Sequence, residues 1–157
     1  MADMVRFAAD GLLIFVLGCA SIVAVYWALH QPRRRIVAVI PFVIMAGLTS
    51  LLSGKLASVV YQPDSARPFV VRGVKAGAAY IDNPGFPSDH ALLAVVVVAA
   101  VWFVTGYRRV AFMLATLTLI MVAARVVALV HTPIDVVGGV MAGLIGAVWY
   151  FRMSDKA

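Results

Sequence analysis

The chain has 157 residues, of which 64% are hydrophobic and 13% charged, with a mean hydropathy of +1.01. An ordinary soluble domain, with about half its residues apolar and about a quarter charged, is excluded; the expectation is one integral membrane domain over residues 1–157 with about five spanning helices of roughly 20 residues each. The formal net charge of +6 does not imply nucleic acid, because the basic residues cluster at the ends of apolar runs and form no stripe with interleaved aromatics.

In chain order, the apolar runs predict an all-α bundle with helices over 7–29, 36–60, 88–105, 110–130 and 133–151. Within the first, Val16 to Cys19 loosely resembles a lipoprotein cleavage box. Asp3 and Asp10 stand where a signal peptide is basic, so Cys19 reads as a residue inside a membrane helix. As the lone cysteine it allows no intramolecular disulfide. Pro41 is expected to kink the second helix, since it lacks an amide for the helical ladder. The connections around 30–35 and 106–109 are short and basic. Residues 61–87 differ: four prolines, three glycines and several charges over this length predict a functional loop.

Five spans put the N-terminus, the 61–87 loop and the corner near residue 131 on one side of the membrane. The other side carries Arg33, Arg34, Arg35, Arg108, Arg109, Arg152 and Lys156. The positive-inside bias assigns these seven to the cytoplasm and the opposite face to the outside of a plasma (inner) membrane. The outer set, Arg6, Arg67, Arg72 and Lys75, is smaller and is accompanied by Asp3, Asp64 and Asp82. Trp27, Trp149 and Tyr150 fit an aromatic belt, and His30 an interfacial position.

The scarce polar groups on the outer face carry the chemistry. Arg125 is followed by His131 and then Asp135, with Pro133 suited to the first turn of the last helix. From that turn Asp135 can accept a hydrogen bond from one nitrogen of His131, fixing its tautomer and leaving the other nitrogen as a nucleophile. Taken singly, Arg125 could snorkel to the headgroups and His131 and Asp135 could be interfacial; together they point to a site, because charge in a bilayer is costly. Phe86-Pro87-Ser88-Asp89-His90 precedes an uninterrupted apolar run, so Ser88 or Asp89 is expected to cap the third helix. Its N-terminus would suit a phosphate, and His90 could protonate a leaving oxygen. Arg67-Pro68 adds a guanidinium whose planar fork of donors matches phosphate geometry. The carboxylates are all aspartates and are dispersed, which offers no Mg²⁺ or Ca²⁺ site, so the expectation is a metal-independent reaction without a cofactor.

These segments resemble the type 2 phosphatidic acid phosphatase, or lipid phosphate phosphatase, superfamily, whose site is shared with vanadium haloperoxidases. The pattern Ser-Arg, five residues, His, three residues, Asp is matched by Arg125, His131 and Asp135, with Ala124 for serine. Pro-Ser-Gly-His is matched at Pro87, Ser88 and His90, with Asp89 for glycine, and the FPSDH form is similar to the bacitracin-resistance type of undecaprenyl pyrophosphate phosphatase. The first motif, lysine, six residues, Arg-Pro, keeps Arg67-Pro68 but has Val60 at the lysine position. Lys55 is the nearest upstream lysine and would join the site through an insertion around Gln62 to Ala66.

The resemblance implies an acid phosphatase/haloperoxidase-like helical core and a phosphohistidine mechanism. His131 would attack phosphorus, His90 would protonate the leaving group and Asp135 would orient His131. Arg67, Ser88, Asp89, Arg125 and Lys55 would hold the phosphate, while Arg72, Lys75, Asp64 and Asp82 would either shape a headgroup pocket or form a solvated loop. The substrate would be a polyprenyl diphosphate such as undecaprenyl pyrophosphate. Alternatives are phosphatidylglycerol phosphate or phosphatidic acid, or a non-catalytic membrane protein that binds anions. The spanning segments exclude a soluble haloperoxidase.

Overall fold

A chain in hydrocarbon must satisfy its backbone hydrogen bonds internally, which makes helices the default for so apolar a sequence. The computed structural model describes residues 2–60, 67–81 and 85–154. Its helices are α1 (Ala2–Leu29), α2 (Arg33–Val60), α3 (Pro68–Val71), α4 (Asp89–Thr105), α5 (Arg108–Val127) and α6 (Pro133–Ser154), and no strand occurs among the described residues. Four of these, α1, α2, α5 and α6, are long and apolar enough to cross a membrane. The fifth expected span, α4, is shorter. It starts at the Ser88 cap and ends at Gly106, whose φ of +72° is the left-handed conformation that terminates helices. At 1.5 Å per residue it extends about 25 Å, less than the hydrocarbon thickness.

Other boundaries shift for local reasons. α5 stops at Val127 instead of 130, because Leu129 adopts a φ of +61° and turns the chain toward α6. α6 runs through Ser154, beyond the expected 151. α2 continues through Pro41. α1 contains a π-helical turn at Phe7–Gly11, and α4 closes with another at Val101–Thr105. The 61–87 segment contains the single-turn α3, with Pro68 in its first turn. The insertion around Gln62 to Ala66 and any role of Asp64 and Asp82 lie outside the described residues.

The bundle centres on α6, which packs most closely on α2 and α4. Small residues set that approach, as membrane interfaces require. A Cβ on Gly146 would run into Ser50 Oγ and the Ala46 carbonyl of α2, and one on Gly139 would run into the Ser88 carbonyl beside α4. The outer faces present Ile14, Ile22, Leu51, Leu52, Phe112 and Leu119, all exposed, as a lipid-facing surface. Two residues expected in the aromatic belt are instead interior: Trp27 and Tyr150 are buried between helices, while half-buried Trp149 donates through Nε1 to Thr49 Oγ1 at 2.8 Å.

At the end that carries the motifs, the chain is tied together by backbone bonds. The Ser88 amide donates to the Asp135 carbonyl at 2.8 Å, joining the starts of α4 and α6. Three successive carbonyls of the α5–α6 corner accept from the 67–81 segment: Ala128 from Gly77 N and Leu129 from Phe69 N, both at 3.0 Å, and Val130 from Arg67 Nη1 at 2.6 Å. The 67–81 segment is thereby seated on the corner that carries His131.

Candidate active site

The site grows from two helix starts. At α4, Ser88 is the N-cap and its Oγ accepts from Ala91 N at 3.5 Å, so His90 lies in the first turn. At α6, Thr132 and Asp135 form a reciprocal cap: Thr132 N donates to Asp135 Oδ2 at 2.7 Å, and Asp135 N donates to Thr132 Oγ1 at 3.2 Å. The Thr-Pro-Ile-Asp spacing signals this capping box, which sequence reasoning missed. It fixes the carboxylate that faces His131, with Asp135 Oδ2 at 3.6 Å from His131 Nδ1. This is longer than a hydrogen bond, and a shift of about 0.5 Å would close it. His131 Nδ1 and Asp135 Oδ1 have no other hydrogen-bond partner among the described residues.

Arg125 occupies the centre with 1% of its surface exposed. Its Nη1 lies 3.1 Å from His90 Nε2, and its Nη2 lies 3.5 Å from His131 Nε2. A guanidinium donates and cannot accept, so both Nε2 atoms act as acceptors there and both rings carry their proton on Nδ1. In that tautomer His131 turns Nε2 to the site and Nδ1–H toward Asp135. Nη2 also donates to the Ala79 carbonyl at 3.0 Å.

Arg67, 8% exposed, approaches from the loop. It donates to the Val130 carbonyl at 2.6 Å and to the Ile81 carbonyl at 2.9 Å, and its guanidinium lies 5.4 Å from the centre of the Tyr80 ring. Gly85, with φ at +93°, passes so close that a Cβ would meet the guanidinium carbon at 3.3 Å. Glycine satisfies both the conformation and the contact.

These residues line a cavity of about 310 Å³ that includes Arg67, Asp89, His90, Arg125 and His131, with Leu13, Ile81 and Leu93 as apolar wall. Five predicted residues therefore converge on one space, and Asp135 stands behind His131. Ser88 is wholly buried, serves as the cap and does not line the cavity. Lys55, together with Arg72 and Lys75, is exposed and outside the lining. Lys55 sits on α2, a helix that packs on α6 and α4 and contributes nothing to this cavity. His30 is exposed, with its ring Nδ1 on the Tyr26 carbonyl at 2.7 Å, in keeping with an interfacial role.

One site-associated residue was missed altogether. Asp10, in the π turn of α1, has Oδ1 3.1 Å from Arg125 Nη1, while its Oδ2 accepts from Ala79 N at 3.0 Å. Its signal was available: a carboxylate within an otherwise apolar membrane run is a functional candidate by default.

Buried cations, two imidazoles whose Nε2 atoms face one guanidinium, and a helix N-terminus suit the binding and transfer of a phosphoryl group. Residues 38–157 match the family model of the PAP2 superfamily, and the chain belongs to that superfamily, as a membrane hydrolase of the phosphatase type. It is 27% identical over 155 residues to undecaprenyl-diphosphatase BcrC of Bacillus subtilis (strain 168), covering 93% of this chain and 75% of the relative. It is 28% identical over 156 residues to the bacitracin transport permease protein BcrC of Bacillus licheniformis, covering 98% of this chain and 71% of that protein. No solved structure matches.

Proposed function

We propose that this protein is a lipid diphosphatase that removes the terminal phosphate of a polyprenyl diphosphate, converting undecaprenyl pyrophosphate to undecaprenyl phosphate. The observation that carries the reading is one buried guanidinium, Arg125, donating to the Nε2 atoms of both His90 and His131 in a cavity with apolar walls. The relative named as an undecaprenyl-diphosphatase supports the choice of lipid.

In this reading the terminal phosphate draws the Arg125 and Arg67 donors onto its oxygens and meets the free amides of the first turn of α4. Asp89 contributes there through its amide, since its carboxylate would repel an anion. His131 Nε2 attacks phosphorus as the bond to the bridging oxygen breaks, and Asp135 supports the positive imidazole. His90, released from Arg125 and protonated at Nε2, gives its proton to the departing lipid phosphate. Water then attacks the phosphohistidine, returns a proton to His90 and frees inorganic phosphate. The cations stabilise equatorial charge, which is the main work a phosphoryl-transfer site performs. Lys55 has no part in this scheme. The dispersed aspartates support a reaction without metal, and the basic opposite end supports a site facing away from the cytoplasm.

The test is phosphate release by the purified protein in detergent, across polyprenyl diphosphates, phosphatidylglycerol phosphate and phosphatidic acid, with and without EDTA. Release from the polyprenyl diphosphate that resists EDTA and falls at least ~10³-fold in His131→Ala is the expected result. Preference for a phospholipid would reassign the substrate, retained turnover in His131→Ala would sink the phosphohistidine, and phosphate binding without hydrolysis would leave an anion-binding protein.

A further inference from the structure

We infer that Asp10 is a positioning residue of the active site, holding Arg125 in the pose from which it serves both histidines and the phosphate. The inference rests on the phosphatase reading above. A long, buried side chain with five donors is not aimed by burial alone. Arg125 Nη1 meets Asp10 Oδ1 at 3.1 Å and the Ala9 carbonyl at 3.4 Å, both from the π turn of α1, and Nη2 meets the Ala79 carbonyl at 3.0 Å. These acceptors set the guanidinium plane, and Asp10 is the charged member among them. Its other oxygen takes the Ala79 amide at 3.0 Å, so one carboxylate locks Arg125 to the segment carrying Tyr80 and Ile81 of the cavity wall. A π turn is a rare insertion in a helix and often marks a functional position; this one carries both the Asp10 carboxylate and the Ala9 carbonyl.

A carboxylate beside a phosphate site has an electrostatic cost, and that cost makes the role testable. Removing the charge leaves the site more cationic, which favours phosphate in the ground state, while it frees Arg125 to leave the geometry needed as charge develops. Binding and turnover therefore move in opposite directions. General damage to the fold would weaken both.

The experiment uses the full chain in detergent with a polyprenyl diphosphate as substrate and inorganic phosphate and orthovanadate as probes. Asp10→Asn is expected to lower kcat about 10–100-fold, with KM and the phosphate inhibition constant unchanged or lower and orthovanadate bound more weakly. Asp10→Glu, which restores the charge, is expected to recover part of kcat. On an Arg125→Gln background, Asp10→Asn is expected to add little further loss, because Asp10 acts through Arg125. The same pair serves if Asp10→Asn alone does not fold, since it leaves no buried arginine without its anion. Wild-type kcat in Asp10→Asn, a parallel rise in KM and fall in kcat, or an equal further loss on the Arg125→Gln background would each overturn the proposal. A wild-type protein inactive on every lipid phosphate would defeat the phosphatase reading alone. Orthovanadate affinity then decides for Asp10: weaker binding by Asp10→Asn supports positioning, and equal binding refutes it.

Discussion

At one end of the bundle Arg33, Arg34, Arg35, Arg108, Arg109 and Arg152 are all exposed, whereas at the other end Arg67 and Arg125 are 8% and 1% exposed. The exposed group makes loose contacts: Arg35 donates to the half-buried Gln31 at 2.9 Å, and Arg108 lies 5.5 Å from the Trp102 ring centre. The buried pair is held through its terminal nitrogens, by the Val130 carbonyl of the α5–α6 corner, by the 79–81 backbone and, for Arg125, by Asp10. One residue type thus does two jobs. At the open end its charge is exposed to solvent; at the closed end protein acceptors stand in for water around each cation and fix where its guanidinium lies.

Paired substitutions across that divide should give the largest contrast. Arg125→Gln is expected to reduce kcat/KM about 10²–10³-fold, the range for losing a donor aimed at developing charge. Arg108→Gln is expected to stay within about twofold, because exposed ion contacts contribute little. Steady-state kinetics on a polyprenyl diphosphate measure both, and similar losses would erase the distinction between the two ends.

The divide also explains what the sequence made legible. Arg125, His131 and Asp135 lie within one stretch of chain, and a helix end followed by a corner and a helix start can bring them together without long-range information. His90 was readable because Ser88 caps a helix, but the same buried cap turns Ser88 away from the cavity. Arg67 was the weakest sequence signal and proved well placed, because its seating depends on carbonyls of residues 128–130 that no local pattern reveals. Lys55 shows the converse: an isolated lysine near the expected spacing is exposed on α2 and faces elsewhere. Asp10 was unreadable as a partner, since 115 positions separate it from Arg125 and only helix packing joins them. Fold class followed from composition and the short α4 from the length of its apolar run, while the burial of Trp27 and Tyr150 depended on helix packing.

Packing at the closed end should also be less tolerant of added volume. Gly139 lets α6 approach the Ser88 carbonyl, so Gly139→Val would push apart the two helix starts that carry His90 and Asp135. Overpacking of this kind costs about 1–3 kcal/mol. Gly18 of α1, where an added Cβ meets nothing within 4 Å, provides the control. Thermal unfolding in detergent should show a lower midpoint for Gly139→Val together with reduced turnover, and neither change for Gly18→Ala. An equal effect of both would mean that close approach at α6 does not hold the site.

The smallest expected effect concerns the hydroxyl behind the carboxylate. Thr132→Val keeps the side-chain shape but removes the acceptor that Asp135 N uses at 3.2 Å, while the Thr132 amide still donates to Asp135 Oδ2. Loss of a helix cap costs about 1 kcal/mol, so a lower unfolding midpoint is expected. The carboxylate remains tethered by the surviving amide, and kcat should fall by no more than a few-fold. At the open end, Gln31→Ala removes the acceptor of Arg35 and should change stability by less than about 0.5 kcal/mol, as surface substitutions usually do. If Thr132→Val were as silent as Gln31→Ala, the capping box would not set Asp135, and the approach of that carboxylate to His131 would have to come from helix packing alone. If instead Thr132→Val abolished turnover at unchanged stability, the hydroxyl itself would belong to the reaction, and the boundary between the buried scaffold and the reacting groups would move out by one residue.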